Sequence, residues 1–146
     1  MLVLMTPESE TRLRVRYAET DQMGVVYYAN YLVWMEVARV DLCRTLGFSY
    51  REMEIDDGIF LAVAEVSCRY RSPAKFDDEV IVRTSVADAN IRILTIAYDI
   101  QLAGASDAPG RALATGQTRH IYVGRDFQRV RLPRKYHAMF GVAERA

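Results

Sequence analysis

No uninterrupted apolar run in this 146-residue chain approaches the roughly 20 residues that a membrane-crossing helix needs. The apolar opening Met1 to Met5 runs into Thr6-Pro7-Glu8-Ser9-Glu10, with neither a basic start nor a cleavage-like set of small residues. A cytoplasmic protein with no membrane partner is therefore expected. Neither sign of charge is in excess, because 19 Lys and Arg balance 19 Asp and Glu; nothing global would hold a phosphate backbone, and nucleic acid is not an expected partner. Cysteine is scarce. Cys43 and Cys68 sit among apolar neighbours and read as small buried hydrophobes in a reducing compartment rather than as a disulfide. His120 and His137 are the only histidines, far apart and without a second His or Cys at ligand spacing, so no metal site is expected. Also missing are the Gly-x-Ser-x-Gly elbow, the Gly-x-x-x-x-Gly-Lys loop and the Gly-x-Gly-x-x-Gly fingerprint, which removes the usual support for serine hydrolases and nucleotide-cofactor enzymes.

What is present suits one folded domain over residues 1–146. Apolar residues make up 51% and charged residues 26% of the chain, and this length buries a core without staples. Thr11 to Tyr17 alternates, with Leu13, Val15 and Tyr17 opposite Arg12, Arg14 and Arg16, and predicts a first strand with one wet face. Four more strands are expected: one through Ala64, Val66, Cys68 and Tyr70, one through Val80 to Val86, one through Leu94 to Leu102, and one over Ala112 to Val123. Loop signals fall at Ser72-Pro73 and at Gly104 to Gly110. Short connections suggest antiparallel neighbours.

Between the first strand and the rest, Tyr28 to Leu46 changes period. Tyr31, Met35, Ala38, Leu42 and Leu46 recur at three- and four-residue steps, while Leu32, Val33, Trp34, Val37 and Val40 fill much of the remaining circumference. A helix apolar nearly all round must be wrapped by other elements. Gly47 supplies its stop, and Asn30 is placed to cap its start. A shorter helix is expected around Tyr50 to Glu54, and a last turn or two between Pro133 and Phe140. The order describes an α+β domain in which a curved antiparallel sheet of about five strands folds around one long central helix.

The stretch Tyr17-Ala-Glu-Thr-Asp21-Gln-Met-Gly24-Val-Val-Tyr27-Tyr28-Ala-Asn30-Tyr31 joins strand to helix. Its order of an acidic residue, a Gly-Val-Val-Tyr step and Asn-Tyr opening the helix resembles the 4-hydroxybenzoyl-CoA thioesterase and YbgC-like branch of the hotdog superfamily. That resemblance implies a hotdog fold and hydrolysis of an acyl-CoA thioester. It makes Asp21 the catalytic carboxylate, as general base or nucleophile, with the Tyr28 backbone N–H polarising the carbonyl and Gly24 allowing close approach. It also places Tyr27, Asn30 and Tyr31 at the substrate. A thiol leaving group with a pKa near that of cysteine, about 8.5, needs little protonation, so one placed carboxylate can suffice. The plainer reading is that Asp21 makes an Asx turn and Gly24 a left-handed one.

The resemblance implies histidine at position 28 in many YbgC-like members and tyrosine, as in this chain, in the 4-hydroxybenzoyl-CoA type. Glu36 matches the helix glutamate that another hotdog branch uses as its acid, but its spacing to Arg39 suits an intrahelical ion pair. Arg71 and Lys75, in the run Arg69 to Asp78, are candidates for the phosphates of coenzyme A. No cofactor is implied beyond the coenzyme A of the substrate. A homodimer or homotetramer with sites between subunits follows from the resemblance. An acyl-carrier-protein thioesterase and a non-catalytic acyl-binding protein are the alternatives.

Overall fold

The computed structural model describes residues 7–104 and 110–143. The opening Met1 to Met5 and most of the Gly104 to Gly110 loop lie outside the described residues. Strand β1 (Glu8–Arg14) leads through a short 3-10 turn at Tyr17–Glu19 to helix α1 (Asn30–Leu46) and helix α2 (Tyr50–Asp57). Strands β2 (Phe60–Tyr70), β3 (Glu79–Ala89), β4 (Ile93–Leu102) and β5 (Ala112–Val123) follow, and a short helix α3 (His137–Phe140) comes last.

All neighbouring strands pair antiparallel in the order β1-β3-β4-β5-β2. The short-connection expectation holds for β3, β4 and β5. It fails for β2, which pairs with β5 rather than β3, so the chain crosses the width of the sheet between Tyr70 and Glu79. This crossover matters for the site. The first strand begins and ends earlier than its alternation suggests: Val15 leaves the ladder to donate its N–H to the Asp78 carbonyl, and Tyr17 turns outward into the 3-10 turn. The last strand, expected over Ala112 to Val123, has the predicted bounds.

Helix α1 buries one face through Tyr31, Trp34, Met35, Ala38 and Leu42. These residues are three and four apart, so they form one stripe against the inner face of the sheet. Gly116 on β5 permits the approach: a Cβ there would stand 2.8 Å from the Ser67 carbonyl and would collide with Met35. Gly47 ends the helix in the left-handed region at φ 103°. The wrapping expected of an all-round apolar helix is only partly provided by the described residues. Leu32, Val33 and Val37 are 39–45% exposed, because the sheet covers only one side.

Beneath the middle of α1 runs a buried polar chain. Arg39 donates to the Tyr98 hydroxyl (3.1 Å), Tyr98 meets Thr118 Oγ1 (2.7 Å), and Thr118 meets His120 Nε2 (2.8 Å). A guanidinium only donates, so the Tyr98 oxygen accepts from Arg39, and the hydroxyls of Tyr98 and Thr118 carry the chain on to the imidazole of His120. Burial, helped by the charge of Arg39, pushes the fully buried His120 down to about 4. The unfolded ring binds a proton near 6.5, so stability is complete above that pH and is lost as the pH falls toward 4. Between pH 7 and pH 5 this residue is expected to contribute a loss of about 2 kcal/mol. Urea unfolding at the two pH values checks it, because His120→Gln should lack that share of the decline. Equal declines in parent and variant would contradict it.

Candidate active site

The loop between β1 and α1 is organised by Glu19, a carboxylate only 4% exposed. One of its oxygens accepts from the indole N–H of Trp34 at 2.7 Å, and the other accepts from the Arg16 backbone N–H at 2.8 Å. The Arg16 side chain adds an ion pair at 3.4 Å. Its backbone carbonyl takes the Tyr27 N–H (2.9 Å) and the Asn30 side-chain amide (2.8 Å), and so ties the loop to the start of the helix. Asn30 is thus the first helical residue, not a cap. Its amide is spent on Glu19, and the position before it, Ala29, has no side chain that can cap.

Within this frame the chain from Thr20 to Val26 closes on itself through a bridge between those two residues. Asp21 donates its N–H to the Val25 carbonyl and accepts that of Gly24, both at 2.9 Å. Gly24 sits at φ 81°, where a side chain is strained, and nothing lies within 4 Å of where a Cβ would stand. The turn is left-handed, and the space over it is open. Half-buried Asp21 accepts the Met23 N–H on Oδ1 at 2.9 Å, which is the Asx turn of the plainer reading. Its other oxygen, Oδ2, has no partner among the described residues, so the turn fixes the side chain without consuming the carboxylate.

Tyrosines crowd the start of α1. Tyr27 and Tyr28 are exposed, and their rings lie 4.5 Å apart between centres. The Tyr28 carbonyl is held by the Tyr70 hydroxyl at 2.8 Å. Tyr70 in turn meets the buried Tyr31 edge-on at 5.0 Å. The Tyr28 backbone N–H has no acceptor among the described residues. The neighbouring Tyr28 hydroxyl, and after it the Asp21 carboxylate, raise the Tyr27 phenol above its ordinary range. Burial raises that of Tyr31, and burial together with Cys68 takes Tyr70 up to about 12. All three are therefore neutral donors at physiological pH.

The crossover from β2 to β3 brings a second loop against the first. The Val26 N–H donates to the Ala74 carbonyl (2.9 Å), the Asp77 N–H donates to Val15 (3.1 Å), and Phe76 meets Tyr17 edge-on at 5.3 Å. Arg71 and Lys75 stand exposed on this loop, and neither side chain has a partner among the described residues. Glu36 is exposed on α1 and makes no ion pair with Arg39, whose guanidinium turns inward to Tyr98 instead. Cys43 is buried and its thiol is pushed up to about 12 by that burial, which leaves it inert; Cys68 is half-buried rather than buried, and both are free.

Sequence reasoning missed Glu19, Tyr70 and Ala74. Glu19 alone left a signal, since a single tryptophan inside an apolar helix needs an acceptor for its N–H once buried. Tyr70 and Ala74 reach the loop only through a crossover that no local pattern reveals. Taken together, the geometry offers a fixed carboxylate with a free oxygen, a free backbone donor at the positive end of a 17-residue helix, and apolar and phenolic walls. Such an arrangement activates water or attacks a carbonyl while stabilising the oxyanion that forms.

Comparison with known proteins gives the family of the chain. The family model of the thioesterase superfamily matches residues 23–104, beginning two residues after Asp21. YneP of Bacillus subtilis (strain 168), whose name proposes an acyl-CoA thioesterase, is 46% identical over 82 residues, 56% of this chain and 59% of that protein. The acyl-CoA thioesterase YbgC of Haemophilus influenzae is 34% identical over 90 residues, 62% of this chain and 65% of its own. The chain thus spans about three fifths of the length of these curated relatives. The DHNA-CoA thioesterase of Staphylococcus aureus superposes with a TM-score of 0.84 at 35% identity, covering 92% of this chain and 89% of that one. The 4-hydroxybenzoyl CoA thioesterase of Pseudomonas sp. strain CBS-3 shares the fold at 15% identity, with a TM-score of 0.81 over 91% and 99% of the two chains. The architecture is the expected hotdog one, and the chain belongs to the thioesterase superfamily.

Proposed function

We propose that this protein hydrolyses an acyl-CoA thioester to the free acid and coenzyme A, with Asp21 as the reacting carboxylate. The observation that carries the reading is the half-buried Asp21, fixed through Oδ1 by the Met23 N–H with Oδ2 free, in a loop tied to the start of α1. As general base, Asp21 takes a proton from water while the water oxygen adds to the thioester carbonyl. The oxyanion is held by the Tyr28 N–H, and collapse expels the thiolate, which recovers the proton as the acid leaves. As nucleophile, Asp21 would add to the carbonyl and expel the coenzyme A thiolate, and water would then open the resulting mixed anhydride to the free acid and the restored carboxylate, its released proton going to the thiolate. Tyr27, Asn30 and Tyr31 shape the acyl side, with Asn30 acting through Glu19. Arg71 and Lys75 meet the anionic carrier.

The same reading takes α1 as the central helix of the hotdog architecture. A second copy would cover its exposed side in a dimer or tetramer joined at the free edge of β2, with sites between subunits. It treats residues 1–146 as one domain, needs no cofactor beyond the coenzyme A of the substrate, and places the protein in the cytoplasm. No described helix is long and apolar enough to cross a membrane.

The test is thiol release from a panel of aromatic and aliphatic acyl groups, each presented on coenzyme A and on an acyl-carrier protein. Faster turnover on coenzyme A is expected for at least one acyl group. Turnover confined to the protein carrier would overturn the choice of carrier, and binding of acyl groups without release would leave only the acyl-binding alternative.

A further inference from the structure

Three consecutive peptides at the entry to α1 are each held from a different direction. The Tyr27 N–H donates to the Glu19 carbonyl at 2.9 Å, the Tyr27 carbonyl accepts the Asn30 N–H at 2.9 Å, and the Tyr28 carbonyl accepts the Tyr70 hydroxyl at 2.8 Å. The peptide between Tyr27 and Tyr28 carries the free Tyr28 N–H, so the last two of these bonds flank it. The bond from Tyr70 is the one that the helix does not supply for itself. A carbonyl at this position ordinarily accepts an N–H from the turn that follows, but here the first turn of α1 offers it the Tyr31 N–H at a stretched 3.4 Å.

Tyr70 reaches this carbonyl from the end of β2, and the sheet fixes its place there. It pairs with Ala114, the next two N–H groups, of Arg71 and Ser72, both donate to the Leu113 carbonyl (2.8 and 3.2 Å), and Ser72 Oγ donates to the Ala112 carbonyl at 2.6 Å. Its ring stands edge-on to the buried Tyr31 at 5.0 Å, and Tyr31 leans at 4.7 Å on Trp34, whose indole N–H ends on Glu19. The hydroxyl is therefore aimed by packed groups on both sides. We propose, on the hydrolase reading above, that Tyr70 is a positioning residue for the reaction: it touches no reacting atom, and its hydroxyl sets the direction in which the Tyr28 N–H meets the oxyanion. A donor aimed in advance needs no reorganisation as the charge forms, and a displacement of about 1 Å is enough to lose on the order of a hundredfold in rate. The phenol stays protonated at physiological pH, so it donates throughout.

The test is Tyr70→Phe, which removes the hydroxyl and keeps the ring against Tyr31. On an acyl-CoA that the parent hydrolyses, kcat is expected to fall at least about tenfold, as for a donor displaced rather than deleted. The KM should stay within about twofold of the parent, because the interaction lost belongs to the transition state. In the unliganded protein, nitrogen relaxation by NMR should show a rigid Tyr28 amide in the parent and a moving one in the variant, while the midpoint of urea unfolding stays near that of the parent. An unchanged kcat overturns the inference. So does a raised KM at constant kcat, which would make Tyr70 a wall of the binding site. A slower variant whose Tyr28 amide is as rigid as the parent's overturns it too, since the hydroxyl would then be a general prop. If the parent releases no thiol from any acyl-CoA, the hydrolase reading falls and the amide decides by itself. Motion confined to the variant keeps the Tyr70 hydroxyl as what holds this N–H, and equal rigidity in both proteins overturns that as well.

Discussion

Asp21→Asn is expected to lower turnover of acyl-CoA by at least about a hundredfold, the low end for losing a positioned base. The KM should stay near that of the parent, because the group removed acts in the transition state rather than in binding. The substitution is discriminating because the amide keeps the oxygen that accepts the Met23 N–H. The Asx turn, and with it the loop from Thr20 to Val26, is retained. Unfolding in urea should therefore move by no more than about 0.5 kcal/mol. Steady-state kinetics beside a urea titration separate the outcomes. If turnover and stability fall together, Asp21 is a turn residue whose carboxylate has no chemical role.

Glu19→Ala is expected to cost about 2 to 4 kcal/mol, because a buried charged acceptor disappears and leaves the Trp34 indole and the Arg16 N–H without partners. Stability is only part of the effect. The Glu19 carbonyl remains in the variant, but the turn that aims it at Tyr27 and Asn30 is held by the missing side chain, so the start of α1 loosens and turnover falls as well. Glu19→Gln keeps one acceptor and should cost about half as much. Trp34 is the only tryptophan, so its fluorescence reports this site directly during unfolding. A Glu19→Ala protein as stable as the parent would mean that the buried carboxylate is not what fixes the loop.

How far the sequence carried the account differs between fold and site. Helix α1 and the strands announce themselves because periods of 3.6 and 2 are imposed by geometry, and Gly47 marks the helix end by chemistry that any reader of the chain can see. The pairing of β2 with β5 leaves no such trace. It is a choice made by tertiary packing, and it decides that the loop of Ala74 and Lys75 meets the loop of Asp21. The apolar circumference of α1 calls for wrapping by other elements. Pattern alone cannot say whether an apolar face is covered from within or by another copy, and Leu32, Val33 and Val37 remain open. At the site, Asp21 and Gly24 were visible through an ordered motif. Asn30 was misread as a cap because its amide had a competing acceptor eleven residues earlier, in the carbonyl of Glu19.

Hydrolysis as proposed requires one arrangement: a thioester carbonyl seated between the Asp21 carboxylate and the first N–H groups of α1. A crystal structure of the Asp21→Asn variant with an intact acyl-CoA would show it directly. The carbonyl oxygen is predicted within about 3.1 Å of the Tyr28 backbone nitrogen, and the carbonyl carbon facing the side chain at position 21, within about 3.5 Å for direct attack or across one water for a general base. An acyl-CoA bound with its carbonyl turned away from the start of α1, and position 21 facing only water, would contradict the account.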